Sequence, residues 1–553
     1  MHNTHTKYRP FPAIDMPDRQ WPSRTITQAP AWCSVDLRDG NQALIKPMNM
    51  EKKLKFFDFL VRTGFKEIEI GFPSASKVEF DFARRLIEEN RIPEGVRVQV
   101  LVQAREHLIQ KTRDALEGAK QVTVHLYNST SEAQRRIVFG KDEASIIQIA
   151  VDGVRMVKEQ FADFKGDVRL ENSPESFTGT ELPFAADIVN AVIEAWGPTP
   201  DKKMIINLPS TVEMATPNVY ADQIEWMIRR IKNRESVIVS LHAHNDRGCA
   251  VAATELALMA GADRVEGTLL GNGERTGNVD IVTLALNMHT QGIDSGLDFS
   301  DADALNGMVE YATEIPTHIR HPYVGKMVYT AFSGSHQDAI NKGMAYRSKT
   351  DASVWEVPYL PIDPSDVGRT YEDLIQINSQ SGKGGVAFIL EQKFGYEIPK
   401  GMHAQVGAAV QKEADKRDTI LTPEEIRSIF EAVFLSPPAR IKAEKLRFDT
   451  DSDTDTTSMR TDIRIDDGEA HAFETSSKGP VAAMRTILQN ATGKTFEIGD
   501  YHEHAFEKGA DAQAVAYVGI MDAEGKTRYG SAMAHNIALA SIKALIKAVE
   551  HLL

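Results

Sequence analysis

Eight short β-rich runs, Ala31 to Leu37, Glu67 to Pro73, Val96 to Val102, Gln121 to Tyr127, Val168 to Asn172, Met204 to Leu208, Val237 to His242 and Arg264 to Leu270, alternate with helix-length segments such as Met50 to Thr63 and Val219 to Lys232. Strands and helices in strict alternation fold as parallel strands with crossover helices, and eight repeats close on themselves as a (β/α)8 TIM barrel. The repeats span roughly 270 residues, the usual size of such a barrel.

A barrel of this kind builds its reactive site at the C-terminal ends of its strands, so the residues standing there come first. The first run leads into Arg38 and Asp39, the fourth carries His125, the fifth runs into Ser173-Pro174-Glu175-Ser176, and the sixth ends at Ser210-Thr211. The seventh closes on His242-Ala243-His244-Asn245-Asp246, and the eighth leads to Gly271-Asn272-Gly273-Glu274-Arg275-Thr276-Gly277-Asn278. In a strand, residues i and i+2 share a face, so both imidazoles of the H-x-H reach one metal ion. Asp39 is a candidate third, hard oxygen ligand, and Arg38 beside it is placed to hold a substrate carboxylate or a developing oxyanion. Strands one, seven and eight become neighbours on closure, which brings Asp39, His242, His244 and Asn278 around one point with coordination positions left open.

With 553 residues the chain forms more than one domain. A formal net charge of -15 argues against nucleic acid or an anionic membrane as the main partner. Cys33 and Cys249 are the only cysteines and have no paired spacing, which excludes a disulfide framework and a thiolate zinc site and points to the cytosol. Residues 1–30 are Pro-rich and lack the apolar core of a signal peptide, and no stretch approaches the ~20 apolar residues of a membrane span. They read as an extended N-terminal arm that packs on a neighbouring surface or subunit. Ser381-Gly382-Lys383-Gly384-Gly385 misses the phosphate-loop pattern and reads as a turn, and Asn272 to Asn278 misses G-x-G-x-x-G, so no dinucleotide cofactor is expected. The acidic tract Asp449 to Thr457 reads as a solvated loop near the start of a further domain, where alternating runs (Thr461 to Ile465, Ala514 to Ile520) mix with helical patterns (Pro480 to Leu488, Ile537 to Leu552).

Taken in order, Asp36-Leu37-Arg38-Asp39-Gly40-Asn41-Gln42, Ser173-Pro174-Glu175-Ser176, His242-Ala243-His244-Asn245-Asp246 and Gly271 to Asn278, followed by Phe332 to Ala339 and Val357 to Pro364, make the chain resemble the α-isopropylmalate synthases, in particular their long bacterial form. The resemblance covers nearly everything after about residue 30. It implies barrel residues 31–300, a mainly helical linker over 301–430 and a C-terminal α+β regulatory domain over 431–553. It also implies an acyltransferase of L-leucine biosynthesis that performs a Claisen condensation of acetyl-CoA with 2-oxoisovalerate. A divalent cation, Mg2+ or alternatively Zn2+ or Mn2+, would be held by Asp39, His242, His244 and Asn278. Arg38 would stabilise the alkoxide, while His125, Ser173, Glu175 and Thr211 would orient the substrates. His336, with Tyr359 or Glu175, would move the acetyl methyl proton across the mouth of a partner subunit in a homodimer. L-leucine would bind at small-residue turns that include Gly479, Ala510, Ala512, Ala532 and Ala534. A lyase or aldolase on the same barrel, and homocitrate or citramalate synthesis, are the alternatives.

Overall fold

The structure, a computed structural model, describes residues 4–331, 333–350, 353–369, 383–417, 421–506 and 512–553. Phe332, Ser381, Gly382, Gly509, Ala510 and Asp511, which carry some of the motifs above, lie outside the described residues.

The eight runs form a closed parallel barrel in chain order: β1 (Ala31–Ser34), β2 (Glu67–Gly71), β3 (Arg97–Gln103), β4 (Gln121–Ser129), β5 (Asp167–Glu175), β6 (Met204–Ser210), β7 (Val237–Ala243) and β8 (Arg264–Gly267). Closure is made by β1 against β8, with Ala31 opposite Arg264 and Ser34 opposite Gly267. Two strands end earlier than their apolar runs suggest. After Ser34 the chain turns into a five-residue π-helical turn, Asp36–Gly40. The turn is held by Ser34 Oγ donating to Asp36 (2.8 Å) and by the Leu269 backbone N–H donating to the same carboxylate (3.1 Å). After Gly267, Leu269–Gly271 forms a 3-10 turn in which Leu270 adopts φ 56°. Both departures happen at the barrel mouth, and they are what lift Asp39 and the Gly271 to Asn278 loop into position.

Helices cover the outside, several opened by side-chain caps: Asn49, Asp142 and Asp280 each accept a backbone N–H of the following first turn. The outward strand faces are apolar in the ordinary way, with Ile68, Val98, Val100, Val124, Leu170, Ile206 and Leu241 buried. The interior face is not apolar. Glu69, Gln99, His125, Asn207, Ser240, Arg264 and Glu266 are all buried there and linked by hydrogen bonds, and the buried Glu171 lies 3.4 Å from both His125 and Arg264, so the barrel is filled by a charge-paired network.

The N-terminal arm packs on this chain's own barrel. Arg19 makes a two-pronged pair with Asp222 (2.8 Å each), the buried Trp21 donates its indole N–H to the same carboxylate (2.8 Å), and the Gln20 and Trp21 backbone N–H groups donate to Glu225. Asp222 and Glu225 lie on the helix Pro217–Ile228.

The chain divides into two compact units, Met1–Val328 with Pro364–Arg369, and Tyr329–Asp363 with Thr370–Leu553. The helix Ala302–Thr313 therefore belongs with the barrel. The second unit holds the helices Gly334–Lys349, Lys383–Phe394, His403–Arg417 and Pro423–Phe430, the last with a capping box between Thr422 and Glu425. Lys383, Gly384 and Gly385, expected in a turn, open a helix. Two antiparallel sheets follow, β9 (Ile441–Asp451), β10 (Thr456–Ile465) and β11 (His471–Lys478) in the order β11-β10-β9, then β12 (Phe496–Ala505), β13 (Ala514–Asp522) and β14 (Thr527–Ala534) in the order β12-β13-β14. The helices Pro480–Thr492 and Ile537–Glu550 pack a core around Met459, Met484, Ile487, Phe496, Val518 and Leu545. The acidic tract is the β9-β10 hairpin: its ends are strand, and only its tip is loop. No helix among the described residues is long and apolar enough to cross a membrane.

Candidate active site

A cavity of about 170 Å³ opens among the C-terminal ends of the barrel strands, lined by Arg38, Asp39, His125, Ser173, Glu175, Thr211, His242 and His244 together with Gln42, Tyr127, Asn207, Glu274 and Arg275. Local geometry explains each arrival. Arg38 and Asp39 ride on the Asp36–Gly40 turn, His242 is the penultimate residue of β7, and His244 follows the strand in an isolated bridge with Asn278. The period of two along β7 aims both imidazoles the same way, with ring centroids 5.3 Å apart.

One carboxylate oxygen of Asp39 is the focus. His242 Nε2 lies 3.1 Å from Asp39 Oδ2, His244 Nε2 lies 3.7 Å from it, and Asn278 Nδ2 donates to it at 2.7 Å. One ligating atom from each of Asp39, His242 and His244 falls within 4.8 Å of the others. Two buried polar atoms here have no hydrogen-bond partner, His244 Nδ1 and Asn278 Oδ1. An amide is reversible by rotation about its last bond, and turned over, Asn278 offers oxygen to the same point. Behind the cluster, His242 Nδ1 bonds Glu266 Oε2 (2.9 Å), the carboxylate partner that fixes the tautomer of a metal-ligating histidine. One carboxylate, two imidazoles and an amide oxygen, all buried, fit a divalent cation.

The electrostatics agree with a site short of positive charge. Burial draws the His242 imidazole down, but hydrogen bonds to Asp39 and Glu266 and their charges outweigh it and raise its pKa to about 9. Burial and the neighbouring His242 lower His244 to about 4. Burial works against ionisation of Asp39, yet Arg38 and the two imidazoles hold its carboxyl well below the usual carboxylate range.

Arg38 pairs through Nε with Glu69 and through Nη1 with Asp39 (3.0 Å). Burial disfavours its charge, and Glu69 and Asp39 overcome this and raise its pKa. His125 spans two carboxylates and a hydroxyl: Nδ1 lies 3.0 Å from Glu69 Oε2, and Nε2 lies 2.7 Å from Ser173 Oγ and 3.4 Å from Glu171 Oε1. Ser173 also accepts from Asn207 Nδ2 (2.9 Å). Glu175, at the end of β5, accepts from Ser129 Oγ, and Thr211 Oγ1 accepts the Ser176 backbone N–H at 2.9 Å. Arg275, on the loop after β8, donates to the Thr211 carbonyl (2.6 Å) and pairs with Asp246 (2.6 Å), tying three mouth loops together.

His336 and Tyr359 lie in the second unit. They form a pair of their own: the rings stack at 4.0 Å with 26° between planes, and Tyr359 is 62% exposed with a left-handed backbone (φ 66°). Among the effector candidates, Gly479 (φ 79°) precedes the helix Pro480–Thr492, while Ala532 is buried in the domain core with Ala534 packed against it. Ala512 resumes the described chain just before β13.

Residue-by-residue reading missed Glu69, Gln99, Arg264 and Glu266, which support the ligands from below. The signal was present as alternation, Glu67-Ile68-Glu69-Ile70 in β2 and Arg264-Val265-Glu266 in β8, with charged residues at a period of two inside otherwise buried strands.

Comparison with known proteins matches three successive stretches of the chain. Residues 29–309 match the HMGL-like family, 326–391 the family described as alpha-isopropylmalate synthase, post-catalytic domain-like, and 420–553 the LeuA allosteric (dimerisation) domain. The hydroxymethylglutaryl-CoA lyase of Pseudomonas aeruginosa, a solved structure, matches at 18% identity with a TM-score of 0.44, over 52% of this chain and 95% of that one. Curated relatives named 2-isopropylmalate synthase match end to end: that of Agrobacterium fabrum is 53% identical, covering 100% of this chain and 99% of the relative. Those of Brucella suis and Rhodospirillum rubrum are 52% and 51% identical, each over 99% of this chain and 99% and 98% of the relatives. Identity at this level over the full length, on the same three-part plan, means that the chain belongs to the 2-isopropylmalate synthase family.

Proposed function

We propose that this protein condenses acetyl-CoA with 2-oxoisovalerate and water to give 2-isopropylmalate and CoA, a committing step of L-leucine biosynthesis, in the cytoplasm. The observation that carries this reading is the convergence of Asp39, His242 and His244 beside Arg38 in one cavity, with Asn278 bonded to Asp39, in a chain at least half identical to 2-isopropylmalate synthases along its whole length.

In this reading Asp39, His242, His244 and Asn278 hold a divalent cation, Mg2+ by preference among oxygen-rich substrates, with Zn2+ and Mn2+ compatible with the two imidazoles. Once bound, the ion supplies Lewis-acid polarisation of the 2-oxo carbonyl. The remaining steps belong to the protein. Arg38 keeps its Nη2 hydrogens for the substrate, since its Nε and Nη1 bonds go to Glu69 and Asp39, and it stabilises the alkoxide that forms as the new carbon-carbon bond closes. His125 and Ser173, locked together, and Thr211 orient the 2-oxo acid on the floor and rim of the cavity. Glu175 faces the same space and assists the base.

The acetyl methyl group is a weak carbon acid and needs a positioned base. We assign this to His336 with Tyr359 stacked on it, acting at the mouth of a partner subunit in a homodimer. The exposure of the pair and the match of residues 420–553 to a dimerisation domain support that arrangement. Water then cleaves the thioester and releases CoA. L-leucine, bound by the C-terminal domain around Gly479, Ala512, Ala532 and Ala534, with Ala510 in the intervening segment, is the feedback inhibitor in this scheme.

The test is thiol release from acetyl-CoA with pyruvate, 2-oxobutyrate, 2-oxoisovalerate and 2-oxoglutarate in turn. The highest kcat/KM is expected with 2-oxoisovalerate. A higher value with another acid sinks the substrate assignment, and no thiol release with any of them sinks the reaction.

A further inference from the structure

The second unit contains a second cluster of ligating side chains that the barrel chemistry does not use. On β12, His502 and His504 are two residues apart and so share a face, and their rings stack at 5.9 Å. Across the register from His502 stands Tyr517 of β13, whose ring lies under both imidazoles at 6.2 and 5.8 Å. Glu397 approaches from a different part of the chain, the segment between the helix Lys383–Phe394 and the turn Lys400–Met402, and its Oε2 lies 3.6 Å from His502 Nε2. One ligating atom from each of the three falls within 4.8 Å of the other two.

The surroundings shape this cluster further. His504 Nε2 lies 3.0 Å from the Gly395 carbonyl and 3.4 Å from the Glu397 backbone nitrogen, so the ring is held against the same segment that carries the carboxylate. Nδ1 is buried and has no hydrogen-bond partner. The Gly395 to Glu397 segment is anchored independently of the histidines, by the buried ring of Tyr396 against Phe430 (4.9 Å) and Phe506 (4.8 Å) and by its hydroxyl donating to Glu431 (2.7 Å). Stacking on Tyr517 explains why the two imidazoles lie parallel. It does not explain why an exposed carboxylate faces them, or why a ring nitrogen is buried without a partner.

We propose that Glu397, His502 and His504 form a second metal site, which takes a borderline divalent ion such as Zn2+ and clamps the Gly395–Glu397 segment to β12. Two neutral imidazoles and one carboxylate match a three-protein-ligand zinc site with water in the fourth position. The set is too poor in oxygen and too small for Ca2+, and Mg2+ prefers oxygen ligands. Ligand atoms 3.6 Å apart are near the separation that tetrahedral Zn–N and Zn–O bonds of about 2 Å require, and the exposed Glu397 side chain is free to close the difference.

The test uses the full-length protein, stripped with a chelator and titrated with Zn2+ by calorimetry, with Co2+ visible absorption to report geometry. Glu397→Gln is the primary variant: the side chain is exposed, so the fold is not at stake. Wild-type protein is expected to bind one Zn2+ more per chain than Glu397→Gln at matched concentration, or to bind it more than about tenfold tighter. That difference is expected whatever the barrel holds, so it also appears between Asp39→Asn and Asp39→Asn with Glu397→Gln, and it separates this site from the barrel reading. Zn2+ is further expected to raise the Tm of wild type and not of Glu397→Gln, because the ligands join segments about a hundred residues apart and binding stabilises only the joined form. His502→Gln is expected to behave as Glu397→Gln does. Equal stoichiometry and affinity in wild type and both variants, or Co2+ spectra unchanged by either substitution, overturn the proposal.

Discussion

At the scale of single residues, the mouth of the barrel depends on side chains that share one another's charge. Asp39 accepts from Arg38, His242 and Asn278 at once, so Asp39→Asn removes the focus of the cluster while leaving its shape. Turnover is expected to fall by about a thousandfold or more and divalent-metal affinity to drop in parallel, with circular dichroism unchanged. Near-normal activity in that variant removes the metal-site reading. Arg38→Lys keeps the charge and loses the planar fork that serves Glu69 and Asp39 while still facing the cavity, and kcat is expected to fall about a hundredfold. A nearby carboxyl behaves differently. Burial pushes Asp36 up to about 7, against the opposing hydrogen bonds from Ser34 and Leu269. Its folded-state pKa is thus above its unfolded value, and the proton-bound form stabilises the fold below about pH 4 and loses that contribution as the pH rises through about 7. Between pH 5 and pH 8 wild type is expected to lose about 3 kcal/mol relative to Asp36→Asn, read from denaturant unfolding at each pH. Parallel curves for the two proteins would show that Asp36 stays ionised.

At the scale of elements, the barrel interior is the unusual feature. Arg264 is fully buried and donates to Glu67, Gln99, Ser240 and Glu266, with Glu171 at 3.4 Å. Burial and the Glu266 charge push the Glu171 carboxyl well above its ordinary range, while Arg264 helps hold the Glu266 carboxyl below its own behind His242, where burial opposes that charge. Removing the cation strands carboxylates in a dry core, and Arg264→Met is expected to cost about 3–5 kcal/mol, seen as a lower first midpoint in thermal unfolding and as weaker metal binding through a loosened His242. A variant as stable as wild type would mean that the buried carboxylates simply take up protons. Sequence periodicity located all eight strands, because apolar outward faces such as Ile68, Ile70 and Val98, Val100 repeat every second residue. It did not reveal the interior, since the alternation Glu67-Ile68-Glu69-Ile70 has the same local pattern whether its polar face meets solvent or a charge-paired core. The early ends of β1 and β8 were hidden for a similar reason: Val35 and Leu37 continue the apolar run, while Ser34 and Asp36 turn the chain by bonds to each other and to Leu269, far along the sequence.

At the scale of the whole molecule, the proposed chemistry and the proposed leucine control occupy different stretches of chain. Ending the chain near residue 430 removes β9 to β14 and is expected to abolish leucine inhibition, measured by activity and by calorimetric titration, with the preference among 2-oxo acids unchanged. Activity itself is expected to fall. The cut strips Phe506 from Tyr396 and His504 from Gly395 within the unit that carries His336 and Tyr359, so the loss is felt beyond the deleted sheets. Leucine binding retained by a folded truncated protein would place the effector site before residue 430.

What the amino-acid sequence determined by itself was everything governed by near neighbours: eight alternations of strand and helix, the H-x-H whose period of two aims both imidazoles one way, the Arg38-Asp39 pair at a strand end, and the switch to antiparallel patterning after the acidic tract. Only the tertiary structure decided which distant groups meet. The N-terminal arm found the helix Pro217–Ile228 of its own barrel, Arg264 found Glu67, Glu266 found His242, and His504 found the Gly395 carbonyl. Periods of two and 3.6 are set by bond geometry a few residues long, whereas these meetings depend on how a closed barrel and a folded sheet bring strands together, with about two hundred residues between Glu67 and Arg264.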